Sequence, residues 1–167
     1  MDWLRFGGNR LCGNGLPAGE AKLATEPIAD SFHEYPEGGT SMDLKFYKCM
    51  HCGNIAIKPF DSGVPLVCCG EQMAELTANT TDAAVEKHVP VVRIDGANVH
   101  VEVGSTLHPM TPEHYITFIC LVTKNGYQIV ELTPEDAPVA DFAIAEGDEA
   151  LKVYEYCNIH GLWVAEV

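Results

Sequence analysis

The chain has 167 residues, and its apolar fraction of 47% is enough to form a core and excludes a disordered chain. Its 24 acidic residues outnumber its 10 basic residues, and the net charge of −14 argues against a nucleic-acid partner, which requires a basic face. No apolar run reaches the length of about 18 residues that a membrane span requires, and the N-terminus lacks the layout of a signal peptide, so we expect a cytoplasmic protein without a membrane partner. In that compartment thiols stay reduced, so the seven cysteines indicate metal binding rather than disulfides.

Residues 1–41 are rich in glycine and proline and lack helical or strand periodicity, which predicts an unstructured segment. Glu37-Gly38-Gly39 can be encoded by a ribosome-binding sequence, and Met42 follows shortly after it. We therefore hypothesise that the functional protein begins at Met42 and that residues 1–41 are a translated leader that is not native. Cys12 and His33 have no partner ligands nearby and are predicted to have no role in a site.

Residues 42–78 are predicted to form a small metal module. A short strand, 44–48, leads into a Cys-x2-Cys pair, and an adjacent Cys-Cys pair follows after fifteen intervening residues. The four thiolates, Cys49, Cys52, Cys68 and Cys69, suit a tetrahedral iron or zinc site. The adjacent pair predicts a distorted tetrahedron. His51 lies between ligands and is expected to face solvent.

Residues 79–167 form the second predicted domain. After a linker over 71–85, β-branched residues and alternation with regular turn signals predict an antiparallel sandwich with no helix after residue 86. The seven predicted strands are 91–94, 99–103, 114–124, 127–132, 142–145, 151–156 and 162–167.

Five possible metal donors lie at the ends of these strands or in their loops. They are His88, His108, His114, Cys157 and His160. Loops at the rim of a sandwich can converge, and a mixed imidazole and thiolate set suits zinc, copper or iron. His100 shares a strand face with Glu102 and is expected at the surface, whereas Cys120 is expected to fill the core.

Two groups of motifs carry a family resemblance over residues 43–167. The first resembles desulforedoxin and the amino-terminal domain of desulfoferrodoxin, and consists of Tyr47-Lys48-Cys49, Cys52-Gly53-Asn54 and Leu66-Val67-Cys68-Cys69-Gly70. The second is similar to superoxide reductase of the two-iron desulfoferrodoxin type, and includes Glu86-Lys87-His88-Val89-Pro90-Val91, His108-Pro109-Met110, Glu113-His114-Tyr115-Ile116 and Tyr156-Cys157-Asn158-Ile159-His160-Gly161.

The resemblance implies a mainly β protein, with a rubredoxin-type module before an immunoglobulin-like sandwich, usually as a homodimer. It implies two mononuclear irons, Fe(Cys)4 in the module and Fe(His)4(Cys) in the sandwich. Equatorial ligands would be His88, His108, His114 and His160, with Cys157 as the axial ligand. Glu86 and Lys87 match the mobile catalytic glutamate and lysine of the family.

The implied activity is one-electron reduction of superoxide to hydrogen peroxide, with electrons from a donor such as rubredoxin. Two other classes remain open from the residues alone. One is a non-catalytic iron electron carrier, and the other is a zinc-stabilised binding module.

Overall fold

The computed structural model describes residues 44–59, 61–81 and 83–167, which form β-strands and one short helix. The predicted leader, the start at Met42, Cys12 and His33 lie outside these residues. None of the helices in the described ranges is long and apolar enough to cross a membrane.

The cysteine-rich module contains five short strands. They are β1 Lys45–Lys48, β2 Ile55–Lys58, β3 Val67–Cys68, β4 Glu71–Gln72 and β5 Ala74–Glu75. Strands β2, β1 and β5 form one antiparallel sheet, and β3 pairs with β4. The prediction of a linker from residue 71 is therefore wrong over β4 and β5, because strands of two residues are too short to show an alternating pattern.

The second region is an antiparallel sandwich of seven strands, as the sequence predicts. Its strands are β6 Pro90–Asp95, β7 Asn98–Val103, β8 Ile116–Thr123, β9 Tyr127–Glu131, β10 Val139–Ala143, β11 Ala150–Cys157 and β12 Gly161–Glu166. One sheet has the order β10-β7-β6 and the other β12-β11-β8-β9. Alternating residues of both sheets, such as Val101, Leu121 and Val153, are fully buried between them. Cys120 is buried as predicted, but on the other face of β8.

A single helical turn, α1 (Val85–His88), precedes the sandwich, and the expectation of no helix after residue 86 is wrong. No side chain caps its N-terminus, and four residues are too few to produce a helical period. The turn ends at Val89, whose backbone is extended, because the ring of Pro90 disfavours helical geometry in the residue before it.

The module packs on the outer face of the four-stranded sheet. Phe46 is almost fully buried there, with ring centroids 5.7 Å from Phe118 and 5.0 Å from Tyr154. The ammonium of Lys48 donates a 2.8 Å hydrogen bond to the hydroxyl of Tyr156. The two regions thus share one apolar cluster, and the division at residues 78 and 79 stays a prediction.

Candidate metal centres

The four cysteines of the module come together in one group. Their sulfurs lie within 4.8 Å of one another, and the Sγ atoms of Cys52 and Cys68 are 3.6 Å apart. The Sγ atoms of the adjacent pair, Cys68 and Cys69, are separated by 3.9 Å. Four sulfurs around a metal at about 2.3 Å would be roughly 3.8 Å apart, so these residues fit a tetrahedral metal ion.

The first cysteine pair sits in a turn that directs backbone N–H groups at sulfur. The amide of Gly53 donates to the carbonyl of Cys49 at 2.9 Å, and the amide of Cys52 reaches the Cys49 sulfur at 3.5 Å. The backbone amides of Cys52 and His51 lower the pKa of the Cys49 thiol to about 6. This turn therefore favours the thiolate, the form that binds metal. His51 is exposed, as predicted.

The second pair depends on an unusual backbone conformation. Cys69 has a φ of 52°, in the left-handed region that costs a residue with a side chain about 1–2 kcal/mol. Gly70 follows with a φ of 83°. This change of direction lets two consecutive side chains approach one point. The backbone strain of the adjacent pair thus lies at Cys69, and the distorted tetrahedron stays a prediction.

The second donor group contains the five residues predicted from the sandwich loops. The donor atoms of His88, His108, His114, Cys157 and His160 lie within 4.8 Å of one another. The elements that carry them meet at one end of the sandwich, where Cys157 at the end of β11 pairs with Ile116 at the start of β8. Residues more than 70 positions apart in the chain therefore share one site.

The four imidazoles form a ring in the order His88, His108, His114, His160. Adjacent rings have centroids 4.4–4.8 Å apart and are nearly perpendicular, whereas His88 and His114 lie across the ring at 6.4 Å. Nε2 of His88 and Nδ1 of His160 are 2.9 Å apart. A metal about 2.1 Å from each nitrogen would place neighbouring nitrogens about 3.0 Å apart, so the ring fits a single ion.

Two of the histidines are oriented by backbone carbonyls. Nδ1 of His88 lies 2.7 Å from the carbonyl oxygen of Ala84, and Nδ1 of His108 lies 2.7 Å from that of Pro109. An N–H at Nδ1 in each ring leaves Nε2 with a free lone pair for metal. Nε2 of His108 and of His114 are buried without a hydrogen-bond partner in the described part of the chain. A buried ring nitrogen whose lone pair has no hydrogen-bond partner suits a metal ligand.

Electrostatics favour the neutral form of these rings. Burial lowers the pKa of His108 to about 4, and it also lowers the pKa values of His88 and His114. The charges of neighbouring histidines add to this effect in all three. A neutral imidazole is the form that binds metal, so burial favours ligation by these three histidines at neutral pH.

Cys157 is the fifth donor residue of the group and is fully buried. Burial raises the pKa of its thiol, while backbone hydrogen bonds from Ile159 and His160 act in the opposite direction. Its sulfur is 3.5 Å from Nδ1 of His160. These amides would stabilise the thiolate once a cation replaces its proton.

Glu86 and Lys87 are exposed on α1, next to His88, and neither belongs to the donor group. A turn after β7 holds their backbone. The amide of Thr106 donates to the carbonyl of Glu86 at 3.0 Å, and a Cβ at Gly104 would lie only 2.7 Å from the carbonyl oxygen of Lys87. Gly104 also has a φ of 83°, so no other residue fits this close approach without strain.

His100 lies outside both groups, on the outer face of the β10-β7-β6 sheet. Its Nδ1 is 2.6 Å from a carboxylate oxygen of Asp141, and its side chain is 37% exposed. Asp141 and Glu102 raise its pKa, the opposite of what burial does to the donor histidines. The surface interpretation of His100 is confirmed.

The structure adds three residues that sequence reasoning missed. Glu155 is fully buried, both of its carboxylate oxygens lack a partner among the described residues, and burial raises its pKa well above the usual value. Trp163 is its cross-strand neighbour and stacks on the His88 ring at 4.8 Å. Strand alternation could have placed Glu155 on the same face as Cys157. The third residue is Asn158, whose hydrogen bonds to Glu113 and Tyr115 had no signal in the sequence.

The sequence model of the family described as desulfoferrodoxin matches residues 80–166. The desulfoferrodoxin of Clostridium acetobutylicum is 44% identical over 126 residues, which cover 75% of this chain and 98% of that protein. The desulfoferrodoxin of Nitratidesulfovibrio vulgaris is 45% identical, over 73% of this chain and 95% of its own length.

Among solved structures, the chain is similar to the superoxide reductase from Treponema pallidum, with a TM-score of 0.64 and 40% identity. That match covers 74% of this chain and 99% of the other. The family match spans more than half of this chain, and the relatives are matched over nearly their full length. The chain belongs to the desulfoferrodoxin family.

Proposed function

We propose that this chain is a superoxide reductase. It would reduce superoxide by one electron to hydrogen peroxide at an iron ion held by His88, His108, His114, His160 and Cys157. A second iron would be held by the four cysteines of the module. The ring of four histidines with a buried thiol beside it carries the proposal, in a chain whose relatives include a superoxide reductase structure.

Iron, when bound, would supply the electron that superoxide accepts. Four imidazoles and one thiolate would hold the metal with five donors and would leave one face open. His88 and His108, each fixed by a carbonyl, would hold their Nε2 atoms toward the ion. Cys157 would supply the only anionic donor of this group, and the burial of its sulfur excludes water from its side of the site.

Lys87 would attract the substrate. The chain as a whole repels anions because its net charge is −14. An exposed ammonium beside His88 offsets this at short range, since charges farther away than about 10 Å are screened by salt. Lys87 would attract superoxide to the site and would hold a water molecule that donates protons. Glu86 would be the carboxylate that closes the open face after turnover.

The reaction balances with one superoxide, one electron and two protons giving one hydrogen peroxide. The electron must be restored by an external donor, for which a small iron protein such as rubredoxin is our proposal. We also propose that the protein forms a homodimer and is located in the cytoplasm. In this proposal, residues 42–78 form the module where electrons enter, and residues 79–167 form the catalytic domain.

The test is iron content together with peroxide yield from pulse-generated superoxide, with a reductant supplied. We expect two irons per chain and one peroxide for each superoxide consumed. A yield near one peroxide per two superoxides, with oxygen released and no donor required, would indicate a dismutase. Zinc in place of iron, or reversible electron uptake without peroxide formation, would favour the binding module or the electron carrier.

A further inference from the structure

Asn158, in the turn between Cys157 and His160, makes three hydrogen bonds to the segment that carries His114. Its Oδ1 accepts from the amide of Tyr115 at 3.0 Å, and its Nδ2 donates to the carbonyl of Glu113 at 3.0 Å. Its own amide donates to the carbonyl of Tyr115 at 3.1 Å. The two ends of one side-chain amide therefore bracket His114, and the backbone partners fix which end is nitrogen.

His114 differs from two of its neighbours in how its ring is held. His88 and His108 are each oriented by a 2.7 Å hydrogen bond from Nδ1 to a carbonyl. In the described ranges, the His114 ring makes no hydrogen bond, and its Nε2 is buried. Metal-binding histidines usually depend on such an outer contact for their orientation. The position of His114 must therefore come from its backbone.

Local and long-range contacts hold that backbone. Thr111 and His114 exchange amide-to-carbonyl hydrogen bonds of 2.9 and 3.0 Å, which close a tight local turn. Asn158 links the same turn to the end of β11, 43 positions along the chain from Tyr115. Thr111 thus shapes the turn. The pairing of Ile116 with Cys157 fixes the strand that follows, and the side chain of Asn158 extends this link to Glu113, on the other side of His114.

We propose that Asn158 is a positioning residue for the metal centre. It holds His114 in register with Cys157 and His160, so that donors from two separate segments point at one ion. This inference rests on the proposed function only for its link to superoxide chemistry, since the metal site itself follows from the donor geometry. Ligand positions must be held to within about 0.5 Å for a productive site, which a free loop does not achieve.

The chain contains a matched control in Asn79. Its Nδ2 donates to the carbonyl of Val164 at 3.1 Å, its Oδ1 accepts from the amide of Val164 at 2.9 Å, and its own amide donates to Leu162 at 3.0 Å. A comparable set of three bonds thus occurs at the outer edge of β12, about 7–13 Å along the strand from His160. Asn79→Ala and Asn158→Ala remove equivalent side-chain bonds.

The experiment is a Co²⁺ titration of the metal-free full chain, followed by visible absorption that distinguishes four-sulfur from histidine-rich coordination. We expect Asn158→Ala to weaken Co²⁺ binding at the histidine–cysteine group by about 10–100-fold and to leave the four-cysteine group unchanged. Asn79→Ala should lower the unfolding temperature and change neither affinity. Asn158→Asp, which keeps the acceptor for Tyr115 and loses the donor to Glu113, should fall between wild type and Asn158→Ala.

Wild-type Co²⁺ affinity in Asn158→Ala would overturn the proposal. So would an equal loss of affinity in Asn79→Ala, because the effect would then be one of general stability. If Asn158→Ala does not fold, Asn158→Asp decides alone, and wild-type affinity in that variant counts against the proposal. The readout needs no superoxide, so weakened binding in a protein that fails to reduce superoxide would support the role of Asn158 while refuting the proposed function.

Discussion

The two donor groups of this protein are built in contrasting ways. The four-cysteine group takes its donors from two short turns within about twenty residues, and Cys52 and Cys69 are exposed. The histidine–cysteine group takes its donors from α1, two loops and both ends of the β11–β12 turn, and three of its five residues are buried. The first is a local structure, whereas the second exists only when the whole sandwich has formed.

The difference determines what each site needs from the rest of the chain. A local site relies on backbone conformation, seen in the positive φ of Cys69 and Gly70. A distributed site relies on contacts between distant segments, seen in the hydrogen bonds of Asn158. We therefore expect changes near the first site to remain local, and changes in the sandwich to affect chemistry at the second.

The sharpest test of this separation compares the cysteines. Cys157→Ser should lower superoxide reduction by more than about 100-fold, since even changes outside the ligand set cost about 10–100-fold at metal sites. It should also remove thiolate-to-metal absorption at the second site only. Cys52→Ser should abolish metal binding in the module and leave reduction supported by a chemical reductant within about twofold. Comparable losses in both variants would show that the two sites are not separable.

The apolar contact between the regions offers a stability test. Phe46→Ala should destabilise the fold by about 3–5 kcal/mol, because a ring that is 1% exposed would leave a cavity among Phe118 and Tyr154. Denaturant unfolding measures this loss. Tyr127→Ala, at a 39% exposed aromatic on β9, is the control and should cost less than about 1 kcal/mol. A loss below 1 kcal/mol in Phe46→Ala would mean that the module is not anchored by this core.

Lys87 tests whether local charge directs the substrate to the second site. Lys87→Ala should slow the bimolecular reaction with superoxide by several-fold and flatten its dependence on ionic strength, because a cation near the open face is lost. Pulse radiolysis over a range of salt concentrations measures both effects. Lys124→Ala makes the same change of net charge at the far end of β8, about 25 Å away along the strand, and should have little effect. Equal slowing in both variants would indicate an effect of net charge alone.

The smallest expected effect concerns His100, whose environment is the reverse of that of the donor histidines. Asp141 and Glu102 raise its pKa above 6.5, so its protonated form stabilises the fold. That contribution is fully present below pH 6.5 and is lost as the pH rises through the raised value. The difference in unfolding temperature between wild type and His100→Gln should therefore shrink as the pH rises. NMR titration of His100 with a midpoint below 6.5 would contradict this expectation.

Much of the fold was accessible from the sequence because its signals are local. Alternating residues such as Val99, Val101 and Val103 predicted a strand, and the regular turn signals of the sequence include Asn125-Gly126, which lies between the paired strands β8 and β9. Cysteine spacing predicted the module, and loop positions predicted the five donors of the second group, which the structure brings together.

The features that were missed depend on distance in the chain or on very short elements. The helical turn α1 has only four residues, and β4 and β5 have two each. Asn158 looks like an ordinary turn residue until its partners 43 and 45 positions away are known. Glu155 carries a charge that favours an exposed position, yet it is fully buried beside its cross-strand neighbour Trp163.

The shared cluster around Phe46 has a practical consequence for dividing this protein. The outer face of the β12-β11-β8-β9 sheet presents Phe118, Val122, Tyr156 and Leu162 to the module. A fragment beginning near residue 79 would turn this face to water and expose a contiguous apolar patch prone to aggregation. These contacts should therefore be replaced with polar side chains before the sandwich is produced alone, because expression of the bare fragment would report its insolubility rather than its chemistry.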